Sequence, residues 1–394
     1  MDENRQFWID IQCQTFTNWI NQQIEFPQIT DISKDLANGV ALIRLIEALQ
    51  GRKYYGKIYE DDPTEIQMLL NVQMALDALR EDGVKTVNIG SQHNAKTILM
   101  LTQASNSLEL PPSASDVVCA EIYGCKKNRM EIPGSHDVVE GNTKLILGLI
   151  WCLIQRYQIA SRSKIPPKKL VMAWIQSVVP ELKLTNFRTN WNDGRALSAL
   201  LEYCQPGLCP EWKGLDAEQG LANCEKALKL ATQYLAIPPI ISAAHLNSPH
   251  LDELSCITYL SYFIMRGACG YRATLYRVQQ LLPDSVVEDF EMSWCDGYLL
   301  SLLVEAVGGP AIDVEQMRFD TFEDCVENIN IGIMALAAAL CSVGPQPNFP
   351  TTQCFINQQV NLDLAFADGG EVRVDELGVR GESVISFFFA PPVD

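Results

Sequence analysis

GNTKLILGLIWCLIQRYQI, residues 141–159, decides how the rest of the chain reads. Asn142 suits the N-cap of a helix, and Leu145, Ile146, Leu147, Leu149, Ile150, Trp151, Leu153, Ile154 and Tyr157 set apolar side chains almost all the way round it. Such a helix belongs in the middle of a domain. Lys144, Gly148 and Gln155 interrupt the apolar surface on one narrow strip, which leaves the rod an edge able to face outward. The apolar run between Lys144 and Arg156 is about half of the ~20 residues a bilayer requires, so a core helix with one usable edge is expected.

Outward from this helix the chain repeats itself. Leu36-Ala37-Asn38-Gly39, followed by Leu42, Leu45 and Glu47, returns as Trp191-Asn192-Asp193-Gly194 with Leu197, Leu200 and Glu202, and again as Trp294-Cys295-Asp296-Gly297 with Leu300, Leu303 and Glu305. The Asn-Gly or Asp-Gly pair reads as a cap and tight entry to a helix whose leucines mark its buried stripe. Asn71 with Ala75 and Leu76 likewise matches Asn223 with Ala227 and Leu228, then Asn328 with Gly332 and Ile333. A period of roughly a hundred residues is far too long for a solenoid, so each unit should hold its own core, as a length of 394 residues also suggests.

The net charge of -18 is unevenly spread: residues 271–394 hold 5 Lys and Arg against 19 Asp and Glu, leaving 25 against 29 in residues 1–270. With no basic face to neutralise phosphates, a nucleic-acid partner is not expected. Thirteen cysteines are scattered without paired metal spacing, Cys119/Cys125 and Cys204/Cys209 being too loosely placed for a zinc knuckle, and reduced thiols in cytosol are the expectation. Residues 1–10 are polar and acidic, unlike a signal peptide, and no segment suits a transmembrane span. Of four histidines, His93 and His136 fall in or beside an insertion and His245 and His250 in an expected loop, so a Cys/His nucleophile is not expected. No phosphate-binding loop, dinucleotide fingerprint or EF-hand is present, so neither an enzyme nor a cofactor is anticipated.

The string DVVEGNTKLILGLIWCLIQRYQI, residues 137–159, resembles the last long helix of the first calponin-homology module in the actin-binding regions of filamin, α-actinin, spectrin and dystrophin. The resemblance implies an F-actin contact for Lys144, Leu147, Gly148, Trp151 and Gln155. TFTNWINQQI, residues 15–24, lies in a segment from Cys13 whose Phe16, Trp19 and Ile20 form an apolar face, and it resembles the family's first helix. That implies a second contacting strip on its solvent side at Thr15, Asn18, Asn21 and Gln22. Relatives often carry basic residues where this chain has Asn18, Glu25 and Glu60-Asp61-Asp62, and F-actin presents an acidic surface. Residues 167–263, with Leu208-Cys209-Pro210-Glu211-Trp212 and Pro238-Pro239, look like the second module of filamin. Trp174 and Trp191 are its expected core residues, and a third contacting strip is implied at Lys168, Lys169, Met172 and Gln176.

The expected organisation is all-α, with three calponin-homology-like units in series: 11–160 with an insertion at about 92–136, a linker at 161–169, a second unit at 170–266 and an acidic, degenerate third at 271–394. The insertion separates Val87-Asn88-Ile89-Gly90-Ser91 from Asp137-Val138-Val139; its Ser- and Pro-rich middle, 105–115, reads as a loop, and 97–102 as a short helix. Pro166-Pro167 break any helix through the linker, making it a hinge. Arg162, Lys164, Lys168 and Lys169 read first as a solvated linker and second as a phosphoinositide headgroup site. In the third unit Arg277 stands where Trp19 and Trp174 stand, and the last helix is expected at 382–389. The implied function is F-actin binding in the cytoplasm by the first unit, assisted by the second. The alternative is a scaffold that recruits cytoskeletal or signalling proteins through the acidic third unit, and that unit also reads as a built-in competitor covering the actin-facing helices.

Overall fold

The computed structural model describes residues 2–54, 56–84, 134–159, 166–290 and 292–342; these are helical, with no strand among the described residues. The body of the insertion, the linker residues Arg162 and Lys164, and the expected helix at 382–389 lie outside them. Chain contacts divide the protein into two units, Met1–Tyr157 and Gln158–Asp394.

The first unit opens with α1 (Asp2–Gln23), which starts well ahead of the expected Cys13. No Gly or Pro interrupts residues 2–12. Then come α2 (Ile32–Asp35), α3 (Val40–Gln50), α4 (Glu65–Glu81), α5 (Ser135–Val139) and α6 (Thr143–Ile154). Here α1 packs on α3 and α6, while α4 packs on α3 and α5. Fully buried Phe16, Trp19, Leu42, Leu76, Leu149 and Ile150 carry the core. Asn142 caps α6 as expected, its Oδ1 accepting from Leu145 N at 3.4 Å. The helix does not run on regularly to Ile159: Gln155–Ile159 form a wider π turn. That turn brings two side chains onto Asp82, Arg156 donating to its carbonyl at 2.8 Å and Tyr157 Oη to its carboxylate at 2.6 Å, so the end of α6 is tied to the end of α4.

The second unit contains α7 (Pro167–Val178), α8 (Arg195–Cys204), α9 (Gly220–Leu235), α10 (Ala243–Leu246), α11 (Glu253–Ile264), α12 (Cys269–Leu281), α13 (Tyr298–Ala306) and α14 (Phe322–Ser342). Pro167 is the first helical residue of α7, where a missing N–H costs nothing, so the last residues of the expected linker are already helical.

The sequence repeat is a structural knot, built three times. Gly39, Gly194 and Gly297 hold φ of 77°, 74° and 80° at the entry of α3, α8 and α13. Each glycine is pressed against the backbone of an asparagine: a Cβ there would lie 2.6–2.7 Å from an atom of Asn71, of Asn223, or of the Asn328–Ile329 peptide. Only glycine combines that φ with that approach. Because a glycine cap offers no side chain, the residue before it supplies one, and Asn38, Asp193 and Asp296 each accept a backbone N–H two residues on at 2.9 Å. The three asparagines, buried on α4, α9 and α14, donate back to the carbonyls of those same residues at 2.9, 2.9 and 3.1 Å.

One helix serves two of the copies. α12 packs on α8 and α11 of the second copy and also on α13 of the third. Thr274 Oγ1 lies 3.4 Å from Trp174 Nε1 and 2.8 Å from Tyr203 Oη, and the Arg277 guanidinium lies 3.8 Å over the Tyr203 ring. Val278 and Leu282, at the other end of the helix, belong to the third copy's core with Phe290, Trp294, Leu303 and Val304.

Candidate functional site

The side chains singled out in the sequence fall on α1, α6 and α7. On α6 the edge is open as expected: Lys144 is exposed and Gly148 and Gln155 are half-buried. Leu147 and Trp151, implied to share that edge, are each only 5% exposed. They form the apolar floor beside it.

On α1, Gln22 is exposed and Asn18 half-buried, but Thr15 is fully buried, contrary to its expected place on the solvent side. The reason is spacing: Ile11, Thr15 and Trp19 recur every four residues and all face the core. Gln14, which the sequence reading passed over, is exposed instead and lies four residues before Asn18 and eight before Gln22. Its signal was the same four-residue spacing. Asn21 is half-buried and braces the chain after α1, its Nδ2 donating to Ile29 O at 2.8 Å and its Oδ1 accepting from Ile29 N at 2.9 Å.

On α7, Lys168 and Lys169 are exposed and Met172 and Gln176 half-buried. Lys168 pairs with Glu253 of α11, which also faces Arg188 at 3.6 Å. Gln176 repeats the brace of Asn21, donating to Leu184 O at 2.6 Å, and Gln279 repeats it again on Val287 O at 2.8 Å. These amides hold the first helix of each copy to the segment that follows it. Packing of α1 on α6 puts their two strips on one unit, while the α7 strip belongs to the other.

The thiols and the phenol beside these strips are held in their neutral forms. Burial pushes the Cys152 thiol of α6 up to about 11, and burial with Asp10 and Asp31 nearby does the same for Cys13 of α1, so both stay protonated at neutral pH. Tyr157 is raised to about 12 by burial and by donating to Asp82. Of the acidic residues 60–62, Glu60 is paired with Arg44, which also holds Glu47 at 2.8 Å. No group of three or more His, Cys, Asp or Glu is placed to hold a metal among the described residues, and no helix among them is long and apolar enough to cross a membrane.

The calponin homology (CH) domain model matches residues 10–102 and 165–269. Filamin-C of Rattus norvegicus is 33% identical over 268 residues, 65% of this chain and 8% of that protein. Filamin-A of Drosophila melanogaster is 31% identical over 271 residues, again 65% of this chain and 10% of the relative. Alpha-actinin-3 of Mus musculus is 26% identical over 338 residues, 80% of this chain and 32% of the relative. The chain therefore spans about a tenth of the filamins it matches. Among solved structures, the actin-crosslinking core of Schizosaccharomyces pombe fimbrin aligns with a TM-score of 0.45 at 14% identity, over 96% of this chain and 74% of that one. Two matched ranges on an all-helical scaffold, each holding its own asparagine–glycine knot, place the chain in the calponin homology domain family.

Proposed function

We propose that the chain binds actin filaments through the open edge of α6 and the Gln14–Asn18–Gln22 strip of α1, assisted by Lys168, Lys169 and Met172 of α7 in the second unit. One observation carries the reading. A helix otherwise sunk in its core keeps Lys144 exposed with Gly148 and Gln155 half-open behind it, and Leu147 and Trp151 on the same helix are each 5% exposed and fixed in place by packing. A floor already ordered by packing adds no side-chain freedom to be lost on docking, which favours the edge as a contact. Kinship with filamins and α-actinins points the same way. The role is that of a non-enzymatic cytoskeletal protein in the cytoplasm. In this reading phosphoinositide contact at Arg162, Lys164, Lys168 and Lys169 is a secondary property.

Co-sedimentation with actin filaments over a range of salt tests the proposal, using the full chain, Lys144→Glu, and Lys213→Glu as a surface control. Lys144→Glu should weaken pelleting about tenfold at low salt, corresponding to a lost and reversed charge contact of ~1.4 kcal/mol. Equal pelleting of all three proteins, or none at any salt, would refute it.

A second reading is favoured by the third copy. Ile331 and Met334 on the outer side of α14 are 41% and 65% exposed, where the equivalent positions of α4 carry Met74 and Asp77 and those of α9 carry Lys226 and Lys229. That apolar stretch on an acidic module suits a scaffold that recruits another protein.

A further inference from the structure

Along the outer face of α14 four exposed side chains fall on one stripe, Glu323, Glu327, Ile331 and Met334, at successive spacings of four, four and three. Residues at those spacings share a helix face, so the stripe runs for about 16 Å, acidic over its first half and apolar over its second. The helix beneath it is held still. Asp324 Oδ2 accepts from Thr321 N at 2.9 Å and Thr321 Oγ1 accepts from Asp324 N at 3.1 Å, which ties down the start of α14. On the opposite face Ile329 and Ile333 are sunk in a core with Leu303 and Val304.

In water this stripe is unfavourable twice over. Like charges four residues apart repel across a helix turn, and neither glutamate meets a cation among the described residues. Ile331 and Met334, side by side, expose apolar surface that burial would stabilise. Neither of the other copies joins the two features: in the same register α4 carries Ile66, Leu70, Met74 and Asp77, and α9 ends on Lys226 and Lys229. One kind of partner relieves both. A helix with apolar anchors over Ile331 and Met334, and Lys or Arg one and two turns away over Glu327 and Glu323, buries the first pair and neutralises the second. The surroundings select the same sign. Residues 271–342 hold 3 Arg and no Lys against 12 Asp and Glu, so the field around the stripe draws a cationic partner and opposes an anionic lipid surface, a nucleic acid or a second copy of this chain.

We propose that the outer face of α14 docks a basic amphipathic helix of another protein, with Ile331 and Met334 as the apolar seat and Glu323 and Glu327 as the charge clamp that sets its direction. The inference rests on the scaffold reading of the third copy and gives that reading a partner class. Filament binding through α1 and α6 is independent of it. Because α14 is already ordered from within, docking immobilises few side chains on this side of the interface.

The test is fluorescence anisotropy of a labelled helical peptide of about fifteen residues, leucines on one face and lysines beside them, titrated with the full-length protein. Two companion peptides replace every lysine with glutamine or with glutamate. The lysine peptide should bind about tenfold more tightly than the glutamine peptide at 20 mM salt, with a smaller margin at 0.15 M, and the glutamate peptide should not bind. Ile331→Lys with Met334→Lys installs the lysines that α9 carries in the same register, so the helix should form, and binding of the lysine peptide should fall at least tenfold. Glu323→Gln with Glu327→Gln leaves the core untouched and should weaken binding several-fold while flattening its salt dependence. Unchanged binding in both variants would mean a general attraction to an acidic chain and would overturn the proposal. Equal binding of the lysine and glutamine peptides would overturn the basic partner while leaving α14 a docking face, whereas binding by none of the three would remove the scaffold reading as well. A dimer in sedimentation that Ile331→Lys with Met334→Lys converts to monomer would assign the face to a second copy instead.

Discussion

Asparagine-to-alanine substitution at Asn71, Asn223 and Asn328 separates a shared structural knot from three unrelated buried polar groups. Asn71 makes three hydrogen bonds: Nδ2 to Asn38 O at 2.9 Å, Nδ2 to Tyr59 O at 2.8 Å, and Oδ1 from Tyr59 N at 3.1 Å. Asn223 makes two, to Asp193 O at 2.9 Å and Asp216 O at 2.8 Å, and Asn328 two, to Asp296 O at 3.1 Å and Arg318 O at 2.8 Å. Each bond is worth about 1 kcal/mol net, with the truncated site leaving its backbone partners unsatisfied. The losses should therefore be about 3, 2 and 2 kcal/mol. Global unfolding of a multi-unit chain does not report such values cleanly, so the assay is native-state hydrogen exchange of α3, α8 and α13 in the full protein. Protection should fall about 150-fold in α3 for Asn71→Ala and about 30-fold in α8 or α13 for the other two, each variant leaving the other copies unchanged. Equal losses at all three sites, or a loss in α3 no greater than tenfold, would refute the bond-counting argument.

Three further outcomes follow from the same geometry. Asp35 accepts from Thr30 N, Asp31 N and Thr30 Oγ1 at 2.6, 2.9 and 3.2 Å, and those bonds, the Asp31 and Thr30 N–H groups first, hold its carboxyl below the usual range. A depressed folded value means stability present above the unfolded value of about 3.9 and lost as pH falls through the folded one, so exchange at residues 30–36 should accelerate below about pH 4. Asp35→Asn should weaken that dependence, leaving the part carried by Asp31, whose carboxyl Lys34 and the Ser33 and Lys34 N–H groups also hold low; Asn190 already makes the same contacts to Thr185 and Asn186 at 2.8, 3.3 and 2.9 Å. Gly270→Ala places a Cβ 2.6 Å from both Phe263 O and the Trp174 ring, and should destabilise the second unit by about 1–3 kcal/mol, read by hydrogen exchange of α8 and α12, with a shift in tryptophan emission. Trp19→Ala should cost about 3–5 kcal/mol in the first unit, read by hydrogen exchange of α3 and α6.

The sequence made the knot legible because a turn glycine, its capping neighbour and a buried asparagine are each constrained by local chemistry, and so recur at fixed offsets in all three copies. Membership of the fold followed from that and from the apolar α6. Thr15 lies four residues from Ile11 and four from Trp19, so it shares their buried face whatever a family pattern implies. The braces at Asn21 and Gln176 were hidden because an amide reaching a carbonyl eight residues on looks, in sequence, like any polar surface residue. Gln279 with Val287 gives the third instance that would have exposed the pattern. The double duty of α12 was the least readable feature. Arg277 aligns with two core tryptophans, but its guanidinium lies over Tyr203 of the preceding copy, a partner 74 residues away that no local periodicity marks.

That double duty bears on how an acidic third copy acts on its neighbour. Among the described residues of the second unit it does not cover the helix expected to meet a filament, since Lys168 and Lys169 of α7 are exposed while α12 lies against Trp174 on the inward side of α7. Fixed in that position, its carboxylates would act on a filament bound as proposed through their field rather than by contact. A field of this kind is screened over about 8 Å at 0.15 M salt, whereas a steric cover is indifferent to salt. Neutralising the exposed Glu305, Glu323 and Glu327 to glutamine removes three like charges without touching the core of the copy. The triple variant should pellet with actin several-fold more tightly than the parent at 20 mM salt, and the advantage should shrink to within twofold at 0.15 M. An advantage that persists unchanged at high salt would mean the third copy blocks the filament by contact, and the field account would fail.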